Sequence, residues 1–332
     1  MKRFFREGAI YALLFLIVFV FLFAEFINLD ERLTISSRVL DFNTIFLSIF
    51  LEAIPFVLLG VFVSSIIQVF VSDETIKKYI PKNPIGALLP AVIAGAIFPI
   101  CECAIVPIVR RLIQKGMKLH VAMVILVSAP ILNPIVFLST FYAFQTNMVI
   151  VWGRMGLAFL IAMLVGLVIY MLFRNRLNPL RSEFGAITSE SSKDLPMKQK
   201  IKDIFYHASD EFFTMGKFLL IGAMFASFIQ TFLPRELLVG FGMDPILGPA
   251  VMMVLAYFLS LCSEADAFVA ASLNQIFSPS AILAFLVYGP MMDLKNTLLM
   301  LAYFKTKFVL TLIAVVTAIV FPTILLFQAF WY

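Results

Sequence analysis

The sequence predicts an all-α polytopic membrane protein. One N-terminal helix is followed by two four-segment repeats in inverted orientation, each with a broken or re-entrant helix. Three observations carry this reading. First, 62% of the 332 residues are hydrophobic and 14% charged, with mean hydropathy +1.02, whereas soluble domains run near 45–50% apolar and about 25% charged. Second, segments 8–28, 44–72, 85–114, 119–145, 148–173, 210–233, 246–276, 280–303 and 307–330 each reach the roughly 20 apolar residues that a spanning helix needs. Third, the polar landmarks of one half recur in the other. This composition excludes a water-soluble enzyme, a disordered chain and a disulfide-stapled domain. The formal charge of +5 does not call for nucleic acid, because excess Lys and Arg in a membrane protein collects in cytoplasmic loops. Cys101, Cys103 and Cys262 are too few for a disulfide framework.

Segment 8–28 follows Met-Lys-Arg-Phe-Phe-Arg. Its apolar run exceeds a signal-peptide core, and no Ala-x-Ala cleavage pattern closes it. Residues 1–43 are therefore read as a retained anchor helix and loop with a cytoplasmic N-terminus. Residues 44–173 form repeat A and 210–332 repeat B. The Ser/Lys/Asp-rich stretch 174–209 is read as a cytoplasmic linker. At an offset of 162, Gly60/Gly222, Gln68/Gln230, Gly86/Gly248 and Glu102/Glu264 recur in order; at 160, Pro130/Pro290 and Asn133/Asp293 follow. If every segment crossed once, the loop with Arg110, Arg111, Lys115 and Lys118 and the basic linker would both lie outside, against the positive-inside tendency. Turning 85–114 and 246–276 into re-entrant hairpins brings these loops inside and inverts repeat B. The Pro90, Gly95, Pro99 and Pro107 interruptions favour this, since broken backbone at membrane depth needs protein or a cavity around it. Inverted repeats with discontinuous helices are a secondary-transporter arrangement.

The candidate functional residues are acids and thiols inside apolar runs. In Phe98-Pro-Ile-Cys-Glu-Cys-Ala-Ile-Val-Pro107, Glu102 stands between two cysteines. An ionised acid at this depth costs a few kcal/mol or more and so faces a cavity or a partner. Thiolates favour soft cations, which makes Cys101 and Cys103 the candidate ligands for a metal or metalloid. An extended backbone sends the two thiols to one side, and a helix fans all three residues; the sequence leaves both open. In Leu261-Cys-Ser-Glu-Ala-Asp-Ala267, Glu264 matches Glu102, and Asp266 is an addition. Paired intramembrane acids suit proton exchange, and capping of a broken helix is the competing role. Asn133 and Asp293 are expected along the pathway, with Lys295 neutralising Asp293. Arg154 and Lys217 read as snorkelling or bundle-facing; Asp210 and Glu211 read as solvated near the membrane face. Glu52 has no acidic counterpart at Thr214. A His-Glu-x-x-His and a P-loop are both absent from the sequence.

The strings Cys101-Glu-Cys-Ala-Ile-Val-Pro, Ala129-Pro-Ile-Leu-Asn-Pro and Cys262-Ser-Glu-Ala-Asp-Ala-Phe resemble a family of bacterial predicted permeases that includes the ArsP-type organoarsenical efflux permeases. The resemblance covers about residues 44–305. It implies a multi-pass permease of the inner membrane, not an enzyme and without a cofactor. It also implies recognition of trivalent organoarsenicals by cysteines such as Cys101 and Cys103, and a possible second small membrane protein as partner; a homo-oligomer is the other assembly open to the chain. The expected function is secondary efflux of a small soft-metal or metalloid species, with Cys101, Glu102, Cys103, Asn133, Glu264, Asp266 and Asp293 as substrate-binding residues. The alternatives are a permease for another solute with structural cysteines, a membrane thiol oxidoreductase, and a non-transporting subunit of a membrane complex. The single residue between the two cysteines disfavours the oxidoreductase, because redox motifs carry two.

Overall fold

The computed structural model describes residues 37–70, 86–97, 100–173, 179–181, 197–232 and 244–331. The anchor helix at 8–28 and most of the linker lie outside these residues. Twelve helices follow in order: α1 (Ser37–Phe70), α2 (Leu88–Ile97), α3 (Glu102–Gln114), α4 (Leu119–Leu132), α5 (Pro134–Ala143), α6 (Met148–Phe173), α7 (Met197–Phe232), α8 (Leu247–Leu259), α9 (Asp266–Ser272), α10 (Pro279–Met291), α11 (Leu294–Tyr303) and α12 (Thr306–Trp331). Helix α1 begins seven residues before the expected start of its segment. Helix α7 takes in residues 197–209, which the composition assigned to the linker. The polar residues there favour a helix as readily as a loop, because Lys and Gln, as at Lys198, Gln199, Lys200 and Lys202, are good helix formers.

Among the described residues, five helical stretches are long and apolar enough to cross a bilayer: Arg38–Phe70, Leu119–Ala143, Met148–Phe173, Ile201–Phe232 and Thr306–Trp331. Segments 85–114 and 246–276 are each split. At 1.5 Å per residue, the 10-residue α2 and 13-residue α3 reach about 15 and 20 Å, short of the roughly 30 Å hydrocarbon layer. The 13-residue α8 and 7-residue α9 fall short likewise. Segments 119–145 and 280–303 also break, at Asn133 and at Met292–Asp293. The chain therefore runs long helix, two pairs of half-helices, long helix, and then repeats that order.

The halves meet along α1 against α7, with further contacts of α4 with α10, α6 with α12, α3 with α11 and α5 with α9. Small residues let the backbones approach, as in membrane helix packing generally. A Cβ on Gly60 of α1 would lie 2.6 Å from both Cα and O of Ala104 in α3. Residues 179–181 pair with the α11–α12 connection: Arg181 N donates to the Tyr303 carbonyl at 2.9 Å and Lys305 N to that of Pro179 at 2.9 Å.

Candidate functional site

The break between α2 and α3 presents the paired thiols. Cys101 is extended, at φ −76° and ψ 168°, and Glu102 opens α3. The backbone is thus extended at the first cysteine and helical at the second, between the two geometries open to the sequence. Glu102 stands at a helix N-terminus, where the helix dipole favours a carboxylate. All three described cysteines are free thiols. They line one cavity of about 240 Å3 with Glu52, Glu102, Ser260 and Lys295. Glu102 is 1% exposed. Its Oε1 accepts from Lys295 Nζ at 3.3 Å, while Oε2 has no partner. Lys295 Nζ also donates to the Ser260 carbonyl at 3.4 Å and lies 3.9 Å from Asp293 Oδ2. Lys295 thus stands nearer to Glu102, across the two halves, than to the Asp293 that the sequence suggested. Ser260, which ends α8, holds a left-handed conformation at φ 47°. That conformation costs a non-glycine residue about 1–2 kcal/mol, a strain placed at the cavity wall.

A second inter-half pair lies away from the cavity. Arg154 on α6 donates through Nη2 to Asp266 Oδ2 at 2.8 Å and to the Ser263 carbonyl at 3.3 Å, and through Nη1 to Thr140 Oγ1 at 2.7 Å. Arg154 is therefore bundle-facing, not snorkelling. Glu264, half-buried, accepts from Cys262 Sγ at 2.9 Å.

Asn133 and Asp293 are brought to corresponding places as helix caps. Asn133 Oδ1 accepts from Val136 N at 2.8 Å at the start of α5, and its amide donates to the Ala129 carbonyl at 3.3 Å. Asp293 accepts from Asn296 N at the start of α11. Both side chains satisfy orphan N–H groups of a half-helix. The capping role considered for Glu102 and Glu264 is thus taken by this other pair. Asn133, Glu264, Asp266 and Asp293 do not line the cavity.

The structure corrects one expectation directly. Glu211 is 3% exposed, not solvated. It accepts from Arg110 Nη1 at 3.0 Å, Arg111 Nη2 at 3.3 Å and Ser64 Oγ at 3.1 Å. Arg110 also stacks 4.3 Å above the Tyr303 ring. One carboxylate therefore ties together α1, α3 and α7, and through Arg110 reaches α11. Sequence reasoning also passed over Glu52, on the cavity wall. Its lack of an acidic counterpart in repeat B was the available signal that it serves something specific to one half. Among the described residues, no group of three His, Cys, Asp or Glu side chains has metal-holding geometry.

A family model described as "Predicted permease", ArsP_1, matches residues 38–329. The chain is 44% identical over 288 residues to the "UPF0718 protein YcgR" of Bacillus subtilis (strain 168), covering 87% of this chain and 97% of that protein. It is 39% identical over 292 residues to the "Putative two-component membrane permease complex subunit" of Streptococcus mutans serotype c, covering 86% of this chain and 94% of that one. No solved structure matches the chain significantly.

Proposed function

The chain belongs to the ArsP_1 family of predicted permeases, a multi-pass membrane transporter and not an enzyme, and on that footing we propose that the thiol-lined cavity binds a small thiophilic solute for efflux across the bacterial cell membrane. A trivalent organoarsenical has the required chemistry: a soft centre that two thiols can hold. Cys101 and Cys103 bind that centre, and Glu102 with Lys295 supplies charge beside it. Glu264 hydrogen-bonds Cys262 next to the cavity. Asn133 and Asp293 act on the pathway through the half-helices they cap. One observation carries this reading: three free thiols and a buried carboxylate, drawn from both halves, converge on one cavity. The two halves are inverted repeats in this proposal. The recurring order of long and half helices and the reciprocal contacts of α3 with α11 and α5 with α9 support it. The name carried by the Streptococcus mutans relative supports a membrane partner for this chain.

The double substitution Cys101→Ala and Cys103→Ala tests the thiol role. Cells carrying it are expected to lose protection against phenylarsine oxide at unchanged protein level. Unaltered resistance removes the assignment. Among the described residues no three His, Cys, Asp or Glu side chains are placed to hold a metal ion, which favours one competing reading, a permease for another small solute with cysteines that only pack. In that case Glu102→Gln impairs transport and the cysteine changes do not.

A further inference from the structure

The cavity leaves one inter-half charge cluster unused. Arg154 is 0% and Asp266 2% exposed, and they come from opposite halves, on α6 and at the start of α9. Breaking such a pair by removing one member costs about 3–5 kcal/mol, yet the intact pair adds little net stability. Stability alone therefore explains it poorly. Asp266 Oδ1 and Ser263 Oγ are buried without a hydrogen-bond partner, so the carboxylate has an oxygen to spare. Glu264 and Glu102 lie within electrostatic range of Asp266, and Glu264 within range of Arg154. Of the helices against α9, α5 and α10 carry no Asp, Glu, Lys, Arg or His, and α6 contributes Arg154. Taken with the neighbouring Lys295 and Asp293, four carboxyl groups face two cations. Fully ionised, the region holds two uncompensated negative charges in a medium where each costs several kcal/mol. Lys295 and Glu102 open onto the cavity, where a solute can offset charge. Asp266 and Arg154 do not line it, and both are buried.

We propose that Arg154, Asp266 and Glu264 form a proton-binding site beside the solute cavity, joined to it by the hydrogen bond from Cys262 to Glu264, through which proton binding governs how the two halves engage. A proton passes from hydronium to the half-buried Glu264 and from there to the free Oδ1 of Asp266; each transfer breaks one O–H bond and forms one, leaving water behind and Glu264 ionised again. The attraction of Asp266 for Arg154 then falls. Arg154 stays held by Thr140 within its own half, and its hold on the segment leading into α9 falls to the Ser263 carbonyl alone. This inference rests on the transporter reading, though not on the identity of the solute.

The test uses the full chain in lipid nanodiscs without solute. Infrared difference spectra from alkaline to acid pH are expected to show a protonated-carboxyl band that Asp266→Asn removes and Glu102→Gln retains. In parallel, the native cavity cysteines are labelled with N-ethylmaleimide. Rates are expressed as the ratio of wild type to Asp266→Asn at each pH, so that thiol ionisation cancels. That ratio is expected to change by about fivefold or more, the lower end of coupling between linked sites. A band that survives Asp266→Asn, or a ratio flat with pH, overturns the proposal. Should Asp266→Asn not fold, Asp266→Glu and Arg154→Lys keep both charges and are expected to move the band's midpoint; an unmoved midpoint counts against the site. Loss of arsenical specificity with the pH-dependent ratio intact removes only the solute assignment. A flat ratio with resistance intact removes only the proton site.

Discussion

Replacing Glu211 by Gln isolates what one buried carboxylate does for the bundle. The substitution keeps the volume and removes the charge, leaving the Arg110 and Arg111 guanidiniums facing a neutral amide within 3.0 and 3.3 Å. Removing one member of a buried ion pair costs about 3–5 kcal/mol, because the remaining charge stays desolvated. Unfolding entropy near 2.1 cal/mol/K per residue gives about 0.7 kcal/mol/K for a chain of 332 residues. Each kcal/mol then moves the midpoint by roughly 1.4 °C, and the expected loss is about 4–7 °C. The assay is thermal unfolding in lipid nanodiscs by circular dichroism, with Asp210→Asn as the neighbouring control, expected within about 1 °C of wild type. If Glu211→Gln melts with the wild type while the control behaves as expected, Glu211 does not hold α1, α3 and α7 together and the burial argument fails.

Two further outcomes follow from local geometry. Gly60→Ala forces its methyl against Ala104 backbone atoms and is expected to cost about 1–3 kcal/mol by overpacking. Gly156→Ala meets nothing within 4 Å and is expected to be neutral or up to about 1 kcal/mol stabilising through helix propensity; equal melting midpoints would show that α1 does not seat on α3. At the entrance to α8, the N–H groups of Ile246 and Leu247 donate to Asp244 at 2.9 and 2.7 Å, holding its carboxyl below the usual carboxylate value. A carboxyl so depressed supports the fold fully above its unfolded value of about 3.9 and loses that support as pH falls through the lower folded value. Amide protection of Ile246 and Leu247 is therefore expected to decline in acid for the wild type and to stay flat in Asp244→Asn. Parallel decline in both variants would refute the cap.

The breaks in the helices were legible along the chain. Asn133 before Pro134 marks backbone that cannot continue an ordinary helix, and the structure interrupts the helix there, whereas Pro107, read as an interruption, lies inside α3. Asn133 and Asp293 were matched by their spacing, and both cap half-helices. Capping is a local event, set within three residues, so sequence spacing is enough to suggest it. The convergence of Cys262 with Cys101 and Cys103 was not legible. Nor was the burial of Glu211, since an acid ten residues inside a charged approach to a membrane helix reads the same whether it faces water or Arg110.

By itself the sequence determined that the chain enters a bilayer, that two of its apolar segments carry helix-breaking residues, and that acids and thiols such as Glu102 and Cys101 lie too deep to be ordinary surface residues. Those properties follow from free energies of transfer and from backbone chemistry, which depend on each residue and its near neighbours. Tertiary structure alone decided the partnerships: Lys295 with Glu102 across 193 positions, Arg154 with Asp266 across 112, and Glu211 with two arginines about 100 positions away. A charge is stabilised by what stands within a few ångströms of it, and that distance exists only once the two halves have packed together.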